Sequence, residues 1–154
     1  MANFNTIETV TLVDTDRTAV IKVTGVFNST FNTNVIIIQA NTLRFANASG
    51  QPIHRLVVTS IQYSTSVSPN GFSQLYFVGN SSPNVAIFNF GCNDDGMIDA
   101  HIHNTCTNPY GDIGLTIQGG QIGNTVNFVI ALYKDNDNPG PGQGAWSNAY
   151  AFQN

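Results

Sequence analysis

Apolar residues recur at every second position along much of this chain, and the pattern is cleanest between Gly111 and Lys134. There Ile113, Leu115 and Ile117 alternate with Asp112, Gly114 and Thr116. After Gly119 and Gly120, Val126, Phe128, Ile130 and Leu132 alternate with Asn127, Val129 and Ala131. Residues i and i+2 of a strand share a face, so the stretch predicts two strands, each with an apolar row, joined as a hairpin over a core that the preceding strands supply.

The same reading divides the rest of the chain into strands and turns. Thr9–Val13 and Thr18–Phe27 are β-branched or aromatic at their apolar positions, and Asp14-Thr15-Asp16-Arg17 between them predicts an Asx-type turn. Val35–Ile38 is a short continuous apolar run, which predicts a strand buried on both faces in the middle of a sheet. Thr42–Phe45 could hold a helical turn, but Gly50 and Pro52 close it quickly and the stretch predicts a loop. From His54 to Ser64 the alternation places Leu56, Val58 and Ser60 on one face and Arg55, Val57, Thr59 and Ile61 on the other. Phe72–Val78 and Val85–Phe90 are of strand length, and Asn93-Asp94-Asp95-Gly96 predicts a tight turn leading into a strand over Met97–His103. No segment keeps a helical period for more than a turn. The expected fold is therefore all-β, an antiparallel β-sandwich of jelly-roll-like form.

After Asp135 the pattern breaks. Pro139, Gly140, Pro141, Gly142 and Gly144 cannot sustain a ladder, and Trp146, Tyr150 and Phe152 then follow in a polar setting. This divides the chain into a sandwich domain over residues 1–134 and, over residues 135–154, a Gly/Pro-rich linker with an extended, aromatic C-terminal arm. Burying two of the three aromatics contributes ~3 kcal/mol or more against the entropy of ordering the arm. Trp146, Tyr150 and Phe152 are the candidate partner-binding residues, either as a last strand on the chain's own sheet or on a neighbouring subunit.

Composition narrows the function. At 154 residues one domain can bury roughly two thirds of its unfolded surface and needs no metal or disulfide to fold. Only 9% of residues are charged, against about 25% in ordinary soluble domains, and amides and hydroxyls take their place. Such a surface loses water cheaply and repels its neighbours little, which suits dense assembly and homo-oligomers. The net charge of −4 and the scattering of Arg17, Lys22, Arg44, Arg55 and Lys134 leave no footprint for nucleic acid. The opening MANFNTIETV has no signal-peptide pattern, and no apolar run approaches the ~20 residues that cross a bilayer. Synthesis in the cytosol without membrane attachment is expected, which makes the sequons at Asn28, Asn47 and Asn80 accidents of composition.

Candidate chemistry is sparse. Asp99, His101 and His103 share one face of the predicted strand, and paired imidazoles at i and i+2 can bind one metal ion. The sequence announces no third or fourth ligand of independent origin, and the same alternation makes the three the wet face of a half-buried strand. Cys92 and Cys106 bracket that strand too far apart to bridge and match no zinc motif, so two separate, unreactive thiols are expected. Asp94-Asp95-Gly96 and Asp135-Asn136-Asp137 lack EF-hand spacing and read as turns. Glu8 is the only glutamate, and neither a GxSxG elbow nor a phosphate loop occurs. No enzyme activity and no cofactor are expected.

The run Gly111-Asp112-Ile113-Gly114-Leu115-Thr116, the glycines at 119 and 120, and TVNFVIALYK over 125–134 resemble the closing strands of a family of small tailed-phage virion proteins, chiefly of phages of marine bacteria and cyanobacteria. The opening TVTLVDTDRTAVIKVTG, residues 9–25, is similar in pattern to that family's start. Phe128 stands where the family usually has tyrosine, and the tail from Asp135 runs past the point where many relatives stop. The resemblance implies a non-enzymatic virion protein assembled in the host cytoplasm, a cement or decoration protein bound to capsid subunits. The alternatives are a neck, tail or baseplate component of the same build, and a carbohydrate-binding sandwich in which Trp146, Tyr63, Tyr76 or Tyr110 stacks on sugars.

Overall fold

The computed structural model of the chain describes residues 6–27, 31–44, 55–67, 69–107 and 109–135. Through them run nine strands: β1 (Thr6–Asp14), β2 (Thr18–Val26), β3 (Phe31–Ile38), β4 (Arg55–Ser66), β5 (Phe72–Gly79), β6 (Val85–Phe90), β7 (Asn93–Ile102), β8 (Pro109–Gly120) and β9 (Thr125–Asp135). They form two antiparallel sheets, of order β1-β2-β9-β4-β7 and β3-β8-β5-β6, packed as a β-sandwich.

The pairing is nested. β5 pairs with β6, β4 with β7, β3 with β8 and β2 with β9, and successive pairs fall alternately in the smaller and the larger sheet. The chain is thus one long antiparallel ribbon, bent between β5 and β6 and wound over itself. Its inner faces carry the rows that the alternation marks: Ile21 and Val23 of β2, Phe128 and Ile130 of β9, Leu75 and Phe77 of β5, and Ile113, Leu115 and Ile117 of β8 are all buried. Phe90 of β6 meets Phe128 of β9 with ring centroids 4.9 Å apart, which ties one sheet to the other. Each such side chain contributes about 1.5–3 kcal/mol by leaving water.

The stretch from Gly111 to Lys134 is not a hairpin. β8 lies in the smaller sheet and β9 in the larger, so their apolar rows oppose each other across the core. Alternation reports which face of a strand is apolar, and is silent on whether the next row lies beside it or across from it. The connection between them is held from outside: Phe27 N–H donates to the Asn124 carbonyl at 3.1 Å and Gly123 N–H to the Phe27 carbonyl at 2.9 Å. Gly123 adopts φ +84, a left-handed turn that favours glycine.

Three further expectations change. β3 is an edge strand rather than a central one, and Ile36 on it is 42% exposed. A bulge between Val58 and Ser60 in β4 inserts Thr59, so Val58 and Ile61 both face the core where simple alternation separates them. Asn93–Gly96 is the start of β7 rather than a turn, paired with Tyr63–Ser66, because the ladder outweighs the local turn preference of Asn-Asp-Asp-Gly. Ahead of the loop expected at Thr42–Phe45 the chain makes one 3-10 turn, at Ala40–Thr42. In the 14–17 turn it is Thr15, not an aspartate, whose Oγ1 accepts from Arg17 and Thr18 N–H.

Candidate functional site

β7 is the outer strand of the larger sheet, and it places Asp99, His101 and His103 in solvent while Ile98 and Ile102 lean on the core. Among the described residues, no group of three or more His, Cys, Asp or Glu side chains is close enough to hold a metal ion. Cys92 and Cys106 keep their thiols; Cys106 is buried, its Sγ donating to the Phe77 carbonyl at 3.6 Å. No helix among the described residues is long and apolar enough to cross a membrane.

The candidate aromatics divide. Trp146, Tyr150 and Phe152 lie outside the described residues, as does the whole 136–154 segment. Tyr63 is half-buried among Phe88 and Phe90, its ring centroid 4.9 Å from that of Phe90. Tyr76 is buried, and its hydroxyl donates to Asn34 Oδ1 of β3. Burial raises its hydroxyl above the ordinary tyrosine value while the Asn34 bond lowers it. It cannot stack on a sugar from there. Among the described candidates Tyr110 alone stands largely in the open.

The outer face of the larger sheet carries a shallow depression of about 450 Å³. Register builds it: Lys22, Val129, Gln62 and Met97 pair in one row across β2, β9, β4 and β7, with Asn127 and Ser64 in the next. The amides of Gln62 and Asn127, the Lys22 ammonium and the Asp95 carboxylate stand there among Val129 and Met97, a mixed surface that can hold water or a partner protein.

The strand expected at Thr9–Val13 is β1, and the feature that sequence reading missed is its open edge. The strand pairs, among the described residues, with β2 alone, and between Thr9 and Val13 it carries no charge. Val10, Leu12 and Val13 are 51%, 53% and 44% exposed. A shift in register between Thr11 and Val13 makes room for Leu12, so apolar side chains appear on the strand's solvent side. The signal was present in TVTLV, whose apolar positions break strict alternation. β7, the opposite edge of the sheet, is instead guarded by Asp94, Asp95 and Asp99.

On its inner side β1 is also uncovered. Thr9 and Thr11 are exposed although their partners Val23 and Ile21 in β2 are buried, because the larger sheet has one strand more than the smaller. A cleft of about 170 Å³ results, lined by Thr9 and Thr11 of β1, Ile21 of β2, Ile36 and Ile38 of β3, and Leu43.

One end of this cleft is tied by charge. Asp14 at the end of β1 accepts through Oδ1 from the buried Lys134 ammonium and through Oδ2 from Arg44 N–H at 2.8 Å. Lys134 also donates to the Thr15 carbonyl, and Arg44 pairs with Asp16 at 3.3 Å. The knot fixes the end of β9, the β1–β2 turn and the segment after the 3-10 turn against one another. No protein-family model, curated protein or solved structure matches this chain.

Proposed function

We propose that the chain is a non-enzymatic structural protein of a tailed-phage virion, a cement or decoration protein that binds neighbouring capsid subunits and holds them together. The observation that carries the reading is the exposed apolar edge of β1 on a sandwich in a chain of which only 9% of residues are charged. An edge strand of this kind presents unpaired N–H and C=O groups beside apolar side chains, the form in which one chain adds to another's sheet. Monomeric proteins guard such edges; a protein made to be embedded among others leaves them open.

The strand order supports the reading at one remove. An order of β2-β9-β4-β7 over β3-β8-β5-β6 is that of a jelly roll, an architecture used by viral capsid proteins and also by lectins and cupins. Fold alone does not choose among these. The choice rests on the surface, where the burial of Tyr76 removes one of the aromatic platforms that a sugar-binding role requires and the β1 edge favours a protein partner.

The test is location. Antibody raised against the purified chain is applied to purified tailed particles from the source culture, with mass spectrometry of the same particles. Label over the head supports a capsid cement protein, and label at the neck, tail or baseplate moves the protein to that part. Particles free of the chain overturn the proposal.

A further inference from the structure

Among the described residues the larger sheet has five strands and the smaller four, so β3 is paired on one side only and its other edge lies beneath the exposed inner face of β1. We infer that this place is filled by the C-terminal segment of a second copy of the chain, residues 145–153, added as a fifth strand to the β3 edge. The inference concerns the purified chain and goes beyond the virion reading.

The site asks for a strand. β3 pairs, among the described residues, with β8 alone, and its other edge is turned to the cleft. No charge interrupts it between Thr33 and Ile38. A strand laid there forms main-chain hydrogen bonds along β3, and every second side chain points up at Ile7, Thr9 and Thr11 of β1. Large apolar side chains suit that space, since a strand opposite threonines must itself supply the bulk that fills the layer.

The occupant is argued from the chain. Residues 145–153 read AWSNAYAFQ and are uncharged. At a period of two, Trp146, Asn148, Tyr150 and Phe152 share one face, and Ala145, Ser147, Ala149 and Ala151 share the other. The segment is therefore amphipathic as a strand, large on the side that would face β1 and small on the side that would face out. It is rooted nearby, because β9 reaches Lys134 where that residue binds Asp14, the last residue of β1. A chain turning back from there runs antiparallel to β3, whose Ile38 lines the same end of the cleft as Leu43, next to the Arg44 bond with Asp14.

Linker length allows a neighbour's site. Residues 136–144 hold Pro139 and Pro141 among Gly140, Gly142 and Gly144, and nine residues reach at most roughly 30 Å. The two sheets are ~10 Å apart and adjacent strands ~5 Å. A spacer that exceeds this gap brings the β3 edge of a neighbouring copy within reach, and a chain with few charged residues lets two copies approach without strong repulsion. Exchange of arms between copies follows, in closed dimers if reciprocal and in longer chains if each arm goes to the next molecule.

The experiment uses full-length chains throughout. One carries Thr11→Cys and another Asn148→Cys, each mixed with the other under mild oxidation, and each oxidised alone as a control for linkage to Cys92. A disulfide joining the two different chains, with a solution mass of two or more copies by light scattering, is the expected result. A third chain, Trp146→Ser/Tyr150→Ser/Phe152→Ser, should dissociate at least tenfold more readily and lose amide protection along residues 33–37, while β2, β4 and β9 keep theirs. A doubly substituted Thr11→Cys/Asn148→Cys chain that links only within itself, at the mass of a single copy, overturns the inference. So does a wild-type chain that is a single copy at all concentrations with β3 amides exchanging freely.

Discussion

The ring of Tyr76 lies over Gly114 so closely that a Cβ on the glycine would sit inside the van der Waals radius of its Cζ and hydroxyl. The two residues are paired across β5 and β8, and the tyrosine reaches past the glycine to Asn34 on β3. One side chain thereby spans three strands of the smaller sheet on its outer face.

Gly114→Ala should destabilise the fold by about 1–3 kcal/mol, because the added methyl must displace the ring and break its bond to Asn34. Tyr76→Phe should cost about 1 kcal/mol, the hydrogen bond alone. Urea titrations of both single variants and of Gly114→Ala/Tyr76→Leu check the argument: the smaller side chain should return much of what the alanine removes. Equal losses for Gly114→Ala with and without Tyr76→Leu would show that the crowding is not between these two.

Lys134 is fully buried and its charge is met by Asp14 and the Thr15 carbonyl. Asp14→Ala leaves the ammonium facing one neutral acceptor and should cost about 3 kcal/mol or more. Lys134→Met removes the charge together with its desolvation and should cost clearly less. The order of the two thermal midpoints reads the result directly.

Ser73 is fully buried at the start of β5, and its hydroxyl has no hydrogen-bond partner among the described residues. Ser73→Ala should therefore raise stability by about 1 kcal/mol, since nothing is lost but an unmet polar group. A drop in the urea midpoint would point to a bond that forms in solution.

Asp112 is buried, and its Oδ1 accepts from Ala40 N–H at 2.9 Å, which anchors the 3-10 turn. Desolvation raises its carboxyl above the ordinary 3.8 and outweighs the lowering by the Ala40 bond. The folded chain binds this proton more tightly than the unfolded one, so the stabilising contribution is full below pH 3.8 and is lost as pH rises through the folded value. Asp112→Asn keeps an acceptor for Ala40 without the charge. Its stability relative to wild type should grow as pH rises from 3.8 through the folded value, as paired denaturant titrations would register.

Most of the sandwich is legible in the chain's period of two, because a strand buried on one side must alternate. The rows at 113–117 and 126–132 are core rows, as their sequence says. Neighbour relations are another matter. Whether β9 sits beside β8 or across from it depends on how the whole ribbon winds, and a local pattern holds no such information. The bulge in β4 was illegible for a related reason: an extra residue costs little locally and is fixed by the partner strand. The run of isoleucines at 36–38 implied a centre strand, yet it reaches the core through a register shift at an edge. For the candidate site, the exposed face of Asp99, His101 and His103 followed from alternation, while the open edge of β1 required knowing that, among the described residues, it pairs with β2 alone.

The nested pairing also sets an order of events during synthesis. Ile21 pairs with Ile130, and β9 is the middle strand of its sheet, flanked by β2 and β4. Until the ribosome has released the last of those residues, the earlier strands of that sheet lack the neighbour that joins them, and their apolar rows stay open to the cell. Contacts so distant along the chain make folding slow and leave a long interval in which one nascent molecule can meet another.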